Sequence, residues 1–184
     1  MREHARDQFG ERAESALEDL VEEFQQAGGD ASYRLVFTHD RKRTIERVAS
    51  ESQARALVTT GVTGTVDRLL VSLSGSVDVY GIVSFVSELI GDREIGVTLV
   101  AVGRETEAVQ SLLDGAGSDL SADGIDVETK AKTGSAFNAI VNTVDGHDGV
   151  VIGEKAPSLK SLHFGDEPDR IAASTVSPVI VVRS

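Results

Sequence analysis

The sequence predicts an α/β protein: an open, mostly parallel five-stranded sheet with helices on both faces, preceded by a partial repeat of the same unit. Three observations carry that expectation. Apolar runs of strand length alternate with segments of helical period along the chain. The strands are written in Val, Ile, Leu and Ala, with 4% aromatics and no tryptophan, the usual filling of parallel strands buried on both faces. The opening section also matches part of the remainder without gaps.

The elements follow in order. Ala13, Leu17, Leu20, Val21, Phe24 and Ala27 recur at helical spacing, and Gly28-Gly29 stops the run. Arg34–Phe37 (RLVF) reads as a strand. Asp40 or Thr44 caps a helix whose buried side is Ile45, Val48, Ala49 and Ser52. Ala56–Thr60 (ALVTT) is the next strand, and GVTG a short linker. A longer series then begins at Val66. Arg68–Ser74 is a strand, and Val79–Ile90 a helix with Ile82, Val83, Val86 and Leu89 inward. Gly96–Val102 is a strand, followed by a helix from about Thr106 to Leu120. Asp126–Lys130 is a weaker strand, and Ser135–Val144 a helix with Phe137, Ile140, Val141 and Val144 inward. Gly149–Gly153 and Pro178–Val182 are the last strands. Helices between five strands make a doubly wound sheet the natural solution.

The repeat appears when Gly61 is set against Gly153. Ile45 then meets Phe137, Val48 meets Ile140, Ala49 meets Val141, Ser52 meets Val144 and Val58 meets Val150. Residues 1–65 are therefore expected to be a partial copy, and residues 66–184 a complete domain. The partial copy has helix–strand–helix–strand but no opening strand–helix–strand and no closing strand. It cannot bury both faces of its strands alone, so it is expected to pack on the complete domain or on another subunit.

Composition narrows the function. The formal charge is −12, and such a surface repels phosphate backbones, which argues against nucleic-acid binding. Five lysines against thirteen arginines, with 30 acidic residues, resemble a salt-adapted (halophilic) protein. Without cysteine there is neither disulfide nor thiolate chemistry. The opening residues lack a signal-peptide core, and VDVYGIVSFVSELIGD is too short and too charged to span a bilayer. A soluble, cytoplasmic chain without membrane insertion is expected.

Residues 66–184 resemble a universal stress protein (UspA-type) domain. The resemblance rests on VDRLLVSLSGSVDV, where that family writes a strand ending in Pro-x-Asp-Gly-Ser, and on Val150–Val182 with its closing SPVIVVR. Residues 1–61 look like a shortened second copy, a tandem arrangement. The resemblance implies a Rossmann-like sheet, with an adenine nucleotide such as ATP lying across the carboxyl ends of the first and fourth strands. It places the cofactor-binding positions at Ser72, Leu73, Ser74, Val102, Gly153, Lys155, Ala156, Gly165 and Asp166. Small residues, free N–H groups and a helix amino end are what phosphates need there. It also implies dimerisation through the last strand, Val179, Ile180, Val181 and Val182. The partial first copy offers a second way to cover that edge, so a homodimer and an intramolecular pseudo-dimer are both open.

Several positions depart from the family's pattern. Ser74 stands where the family has its aspartate, and Ser72 where it has proline. Gly153 is in place, but the second glycine of the loop is Ala156, and the run from there to Gly165 is one residue short. Asp166 and Glu167 replace the hydroxyl after the last glycine and oppose a polyphosphate. Lys155, Lys160 or bound magnesium would offset part of that repulsion. A plainer role exists too: acidic residues and Pro168 suit the start of the helix DEPDRIAAS.

Other chemistry is poorly supported. Arg41, Lys42 and Arg43 form a basic cluster at a helix start, either an anion site or a solvated loop. His4, His39, His147 and His163 are scattered without metal-ligand spacing, so no metal is expected. Ser74 and Ser76 lack a nucleophile elbow and a triad order, so no catalytic residue is assigned. The expected role is a non-catalytic, cytoplasmic stress-response module, dimeric and with a degenerate nucleotide loop and no certain cofactor. Its rivals are an ATP- or AMP-binding sensor using the Gly153–Gly165 loop, an adenylyl-transfer-like enzyme on the same fold class, and a regulatory appendage of a transporter.

Overall fold

A computed structural model describes residues 2–58, 64–75, 77–154 and 177–183. The chain divides into two compact units, Met1–Thr44 and Ile45–Ser184.

The first unit holds α1 (Arg2–Gln26). The helix ends where Gly28 turns to a φ of 84°, and the Gly29 amide closes back on the Phe24 carbonyl at 2.9 Å. Of the expected apolar stripe, Ala13, Leu17 and Val21 are half-buried while Leu20 and Phe24 are exposed. Arg34–Phe37, expected as a strand, belongs to no strand. The reason is the missing neighbour. The described residues of this unit hold no strand for it to pair with, and a lone strand is not stable. Tyr33 instead donates its hydroxyl to Glu18 on α1 at 3.2 Å. α2 (Arg41–Glu51) begins at the end of this unit. Of its two candidate caps Asp40 is the one used, its carboxylate accepting the Arg43 amide at 3.0 Å.

The second unit is built on one sheet. After α2 come β1 (Ala56–Val58), β2 (Arg68–Ser72), α3 (Val79–Ile90), β3 (Gly96–Val102) and α4 (Thr106–Ala122). β4 (Val127–Lys132), α5 (Ala136–Val141), β5 (Gly149–Gly153) and β6 (Val179–Val182) follow. The strand order is β1-β6-β5-β2-β3-β4. β2 to β6 run parallel, as expected. The sheet has six strands rather than five, because β1 joins it antiparallel to β6, with Ala56 opposite Val182 and Val58 opposite Ile180. The edge formed by Ile180, Val181 and Val182 is thus paired within the chain.

Successive strand residues point to opposite faces, and both faces are covered. On one, Leu69, Val71, Leu73, Val97 and Leu99 pack with Ile82, Val86 and Ile90 of α3 and with Leu113 and Leu120 of α4. On the other, Leu70, Val100, Val150, Ile152, Val179 and Val181 pack with Ala139 and Ile140 of α5. Double burial explains why β2, β3 and β5 read as nearly unbroken apolar runs. No described helix is long and apolar enough to cross a membrane.

Candidate functional site

From β2 the chain runs outward through β3 to β4, then crosses back to β5 and β6 on the other side. Its direction therefore reverses between β2 and β5, and the crevice of an open parallel sheet lies outside the carboxyl ends of the strands at that point. Ser72, Leu73 and Ser74 at the end of β2 and Gly153 at the end of β5 flank it.

The end of β2 turns inward. Leu73 donates its amide to the Val100 carbonyl at 2.8 Å, and its side chain joins the α3/α4 core. Ser72 and Ser74 are 1% and 2% exposed, and the Ser72 hydroxyl donates to that of Ser74 at 3.3 Å. Burial of polar groups is tolerated when they satisfy one another, and these two do. Gly75 then makes the turn with a φ of 90°. Val102, at the end of β3, is half-buried against the α5-side cluster.

The end of β5 is closely packed. A side-chain carbon on Gly153 would stand 2.9 Å from both Val77 Cγ1 and Ile82 Cδ1, so any larger residue there forces its neighbours to shift. Beyond it, the Glu154 amide donates to the Val182 carbonyl at 2.7 Å, and its carboxylate lies 3.6 Å from the Arg183 guanidinium. Between these residues and the start of α3 lies a cleft of about 10 Å³, room for one water. Asp78, Gly81, Ile82, Gly153, Glu154, Val182 and Arg183 line it. Asp78 is a residue that sequence reasoning passed over. Its carboxylate caps α3, accepting the Gly81 amide at 3.0 Å. An Asp directly before an apolar helical run was the available signal.

Ser72, Ser74, Val102 and Gly153 thus gather at the carboxyl end of the sheet, while Leu73 belongs to the core. Lys155, Ala156, Gly165 and Asp166, with Lys160, Glu167 and Pro168, lie outside the described residues.

The remaining candidates sit elsewhere. Arg41 and Arg43 open α2 as exposed residues, and the Arg43 amide that would greet an anion is taken by Asp40. His147 is buried before β5, with Nδ1 3.3 Å from the Val144 carbonyl. It stands at the amino end of the sheet, seven residues and roughly 23 Å along the strand from Ser74, out of reach as its base. At that same end Asp148 accepts amides from Asp67 and Arg68 at 2.8 and 3.0 Å. Those two bonds hold its carboxyl below the ordinary aspartate range, against the opposing effect of burial. Among the described residues no group of three or more His, Asp or Glu is placed to hold a metal.

A solved universal stress protein from Archaeoglobus fulgidus superposes on 98% of this chain and 79% of its own, with a TM-score of 0.64 and 15% sequence identity. The fold is that of the universal stress proteins. Two further solved structures agree. A universal stress protein in complex with cAMP matches at a TM-score of 0.52 and 17% identity, over 65% of this chain and 98% of its own. One from Burkholderia pseudomallei matches at 0.50 and 15%, over 65% and 97%. By sequence, no family model and no curated protein matches the chain. Within the universal stress protein fold the crevice at β2 and β5 is thus a feature of the frame, and the side chains at its rim are this chain's own.

Proposed function

We propose that this chain is a universal stress protein in the functional sense: a non-catalytic, cytoplasmic stress-response module that acts by binding and pairing rather than by turnover. Its crevice keeps the frame of a nucleotide site without the standard occupant. One observation carries this reading. Ser74, at the position where the resemblance places a nucleotide-contacting aspartate, has no carboxylate to offer, and its hydroxyl is buried against Ser72. The acidic Asp166-Glu167 pair, where the resemblance places a phosphate-binding hydroxyl, acts in the same direction. Residues 1–65 are then a shortened copy whose last strand serves the complete domain as an intramolecular partner. Equilibrium binding of labelled ATP with magnesium at high salt tests the proposal. No saturation in the micromolar range is expected, and micromolar saturation overturns it.

A second reading is an adenine-nucleotide sensor using Gly153 and the loop that follows. The cAMP bound to a protein of the same fold favours it. Mass spectrometry of natively purified protein separates the two, because a sensor of this kind retains an adenine nucleotide and the first reading predicts none.

A further inference from the structure

The first unit covers only one side of its helix. After the turn at Gly28 the chain returns beside α1, where Tyr33 reaches Glu18 and a side-chain carbon on Gly10 would stand 3.8 Å from Phe37 Cζ. At about 100° per residue, Gly10, Glu18 and Val21 lie on the side of α1 that this returning segment lines. Ala16, Leu20 and Phe24 lie further round the helix, and all three are exposed, Leu20 by 49% and Phe24 by 54%. A single exposed leucine is ordinary, but a leucine and a phenylalanine one turn apart make a continuous apolar ridge. The charge around this ridge is one-sided. Glu11, Glu14, Glu18, Asp19, Glu22 and Glu23 are all exposed, and Arg12 is the only cation between residues 10 and 27.

We propose that the Leu20–Phe24 face of α1 is a docking surface for a cationic amphipathic helix of another protein. Leu20 and Phe24 are anchors at i and i+4, the spacing by which one amphipathic helix grips another. Ala13 and Ala16, on the turns before them, leave room for a partner backbone to come close. The carboxylates decide among occupants. They repel the phosphates of nucleic acids and of anionic lipid headgroups. They also repel a second copy of this chain, whose own α1 carries the same charges. A helix with lysine or arginine beside its apolar stripe answers both features, apolar against Leu20 and Phe24 and cationic against Asp19 and Glu23. This goes beyond the crevice reading and uses none of its residues, so either can fail alone.

Fluorescence anisotropy with labelled synthetic peptides tests the surface on the whole chain. The probe is a leucine–lysine amphipathic helix of about five turns, and its control is the same peptide with glutamate in place of lysine. The unmodified protein is expected to bind the lysine peptide in the micromolar range, and the glutamate peptide roughly tenfold more weakly or worse. Leu20→Ser with Phe24→Ser is expected to weaken lysine-peptide binding roughly tenfold. Tyr80→Ser, which removes an aromatic side chain of α3 that is 80% exposed, is expected to leave it unchanged. Full affinity in the double variant overturns the proposal, as does an equal loss in Tyr80→Ser or equal affinity for the two peptides. Self-association of the unmodified chain in sedimentation velocity, abolished by the same double substitution, overturns it too, because the face then serves a second copy. Should that variant fail to fold, Asp19→Lys with Glu23→Lys decides at two exposed positions. It is expected to weaken lysine-peptide binding roughly tenfold, and unchanged affinity overturns the proposal.

Discussion

Gly153 and Val77 approach so closely that a methyl group on the glycine would stand 2.9 Å from Val77 Cγ1 and 3.1 Å from its Cβ. Glycine at the end of β5 is therefore demanded by the packing of the β2–α3 loop, whatever the residues after it do. Ile82 Cδ1, also at 2.9 Å, can swing away, but the branched Val77 has little freedom. Gly153→Ala is expected to destabilise the fold by about 1–3 kcal/mol, the usual cost of overpacking. Urea denaturation in the absence of nucleotide measures it. A variant as stable as the unmodified protein would show that the loop yields, and that packing is not the reason for the glycine.

Ser74 offers a direct test of the altered crevice. Ser74→Asp supplies the carboxylate that the resemblance expects, but at a position 2% exposed whose polar neighbour is the Ser72 hydroxyl. A buried carboxylate without a cation costs about 3–5 kcal/mol, so the variant is expected to melt far below the unmodified protein and to gain no micromolar ATP affinity. Ser74→Ala removes one weak bond between two buried hydroxyls and is expected to change stability by about 1 kcal/mol or less. Thermal melts of both variants, with ATP titrations, check this. Ser74→Asp folding normally and binding ATP would mean that one residue separates this crevice from a working site.

How much of this was legible in the sequence depends on the element. The bounds of α3 could be read because Ile82, Val83 and Val86 keep its period, although the buried face ends on Ile90 rather than on the expected Leu89. β2, β3 and β5 could be read because burial on both faces leaves apolar runs. Arg34–Phe37 has the same local character, yet it forms no strand, since composition cannot supply the neighbour that a strand requires. The place of β1 was hidden for the same reason. Ala56–Thr60 reads as a strand, of which Thr59 and Thr60 lie outside the described residues, but nothing in so short a run says that Ala56–Val58 pairs with Ile180–Val182 in antiparallel register. At the crevice, the replacement of aspartate by Ser74 was visible in the motif. The inward turn of Ser72 and Ser74 and the crowding of Gly153 by Val77 depend on neighbours distant in sequence, and only the fold brings them together.

Asp78 ties the cleft to the stability of α3. Its carboxylate accepts the Gly81 amide, one of the donors that a helix start leaves unpaired. Asp78→Ala is expected to cost about 1 kcal/mol, and Asp78→Asn markedly less, because the amide oxygen caps nearly as well. Chemical denaturation of the two variants side by side gives the comparison. Equal losses for Asn and Ala would assign the effect to charge at the cleft rather than to capping.

Asp148 gives the chain a pH dependence of known sign. The amides of Asp67 and Arg68 stabilise its ionised form, so its carboxyl is more acidic folded than unfolded. The stability this contributes is complete above the ordinary aspartate range and is lost as pH falls through the lowered folded value. Asp148→Asn keeps an acceptor oxygen but no charge, and is expected to cost about 1–2 kcal/mol near neutral pH. The gap between the two proteins should close as the solution is acidified, since a protonated carboxyl and the substituted amide are then alike in charge and in acceptor oxygen. Urea midpoints at a series of pH values, for both proteins at fixed salt, measure the gap directly. A constant difference down to the acid limit would show that the carboxylate charge contributes nothing to fastening β2 beside β5.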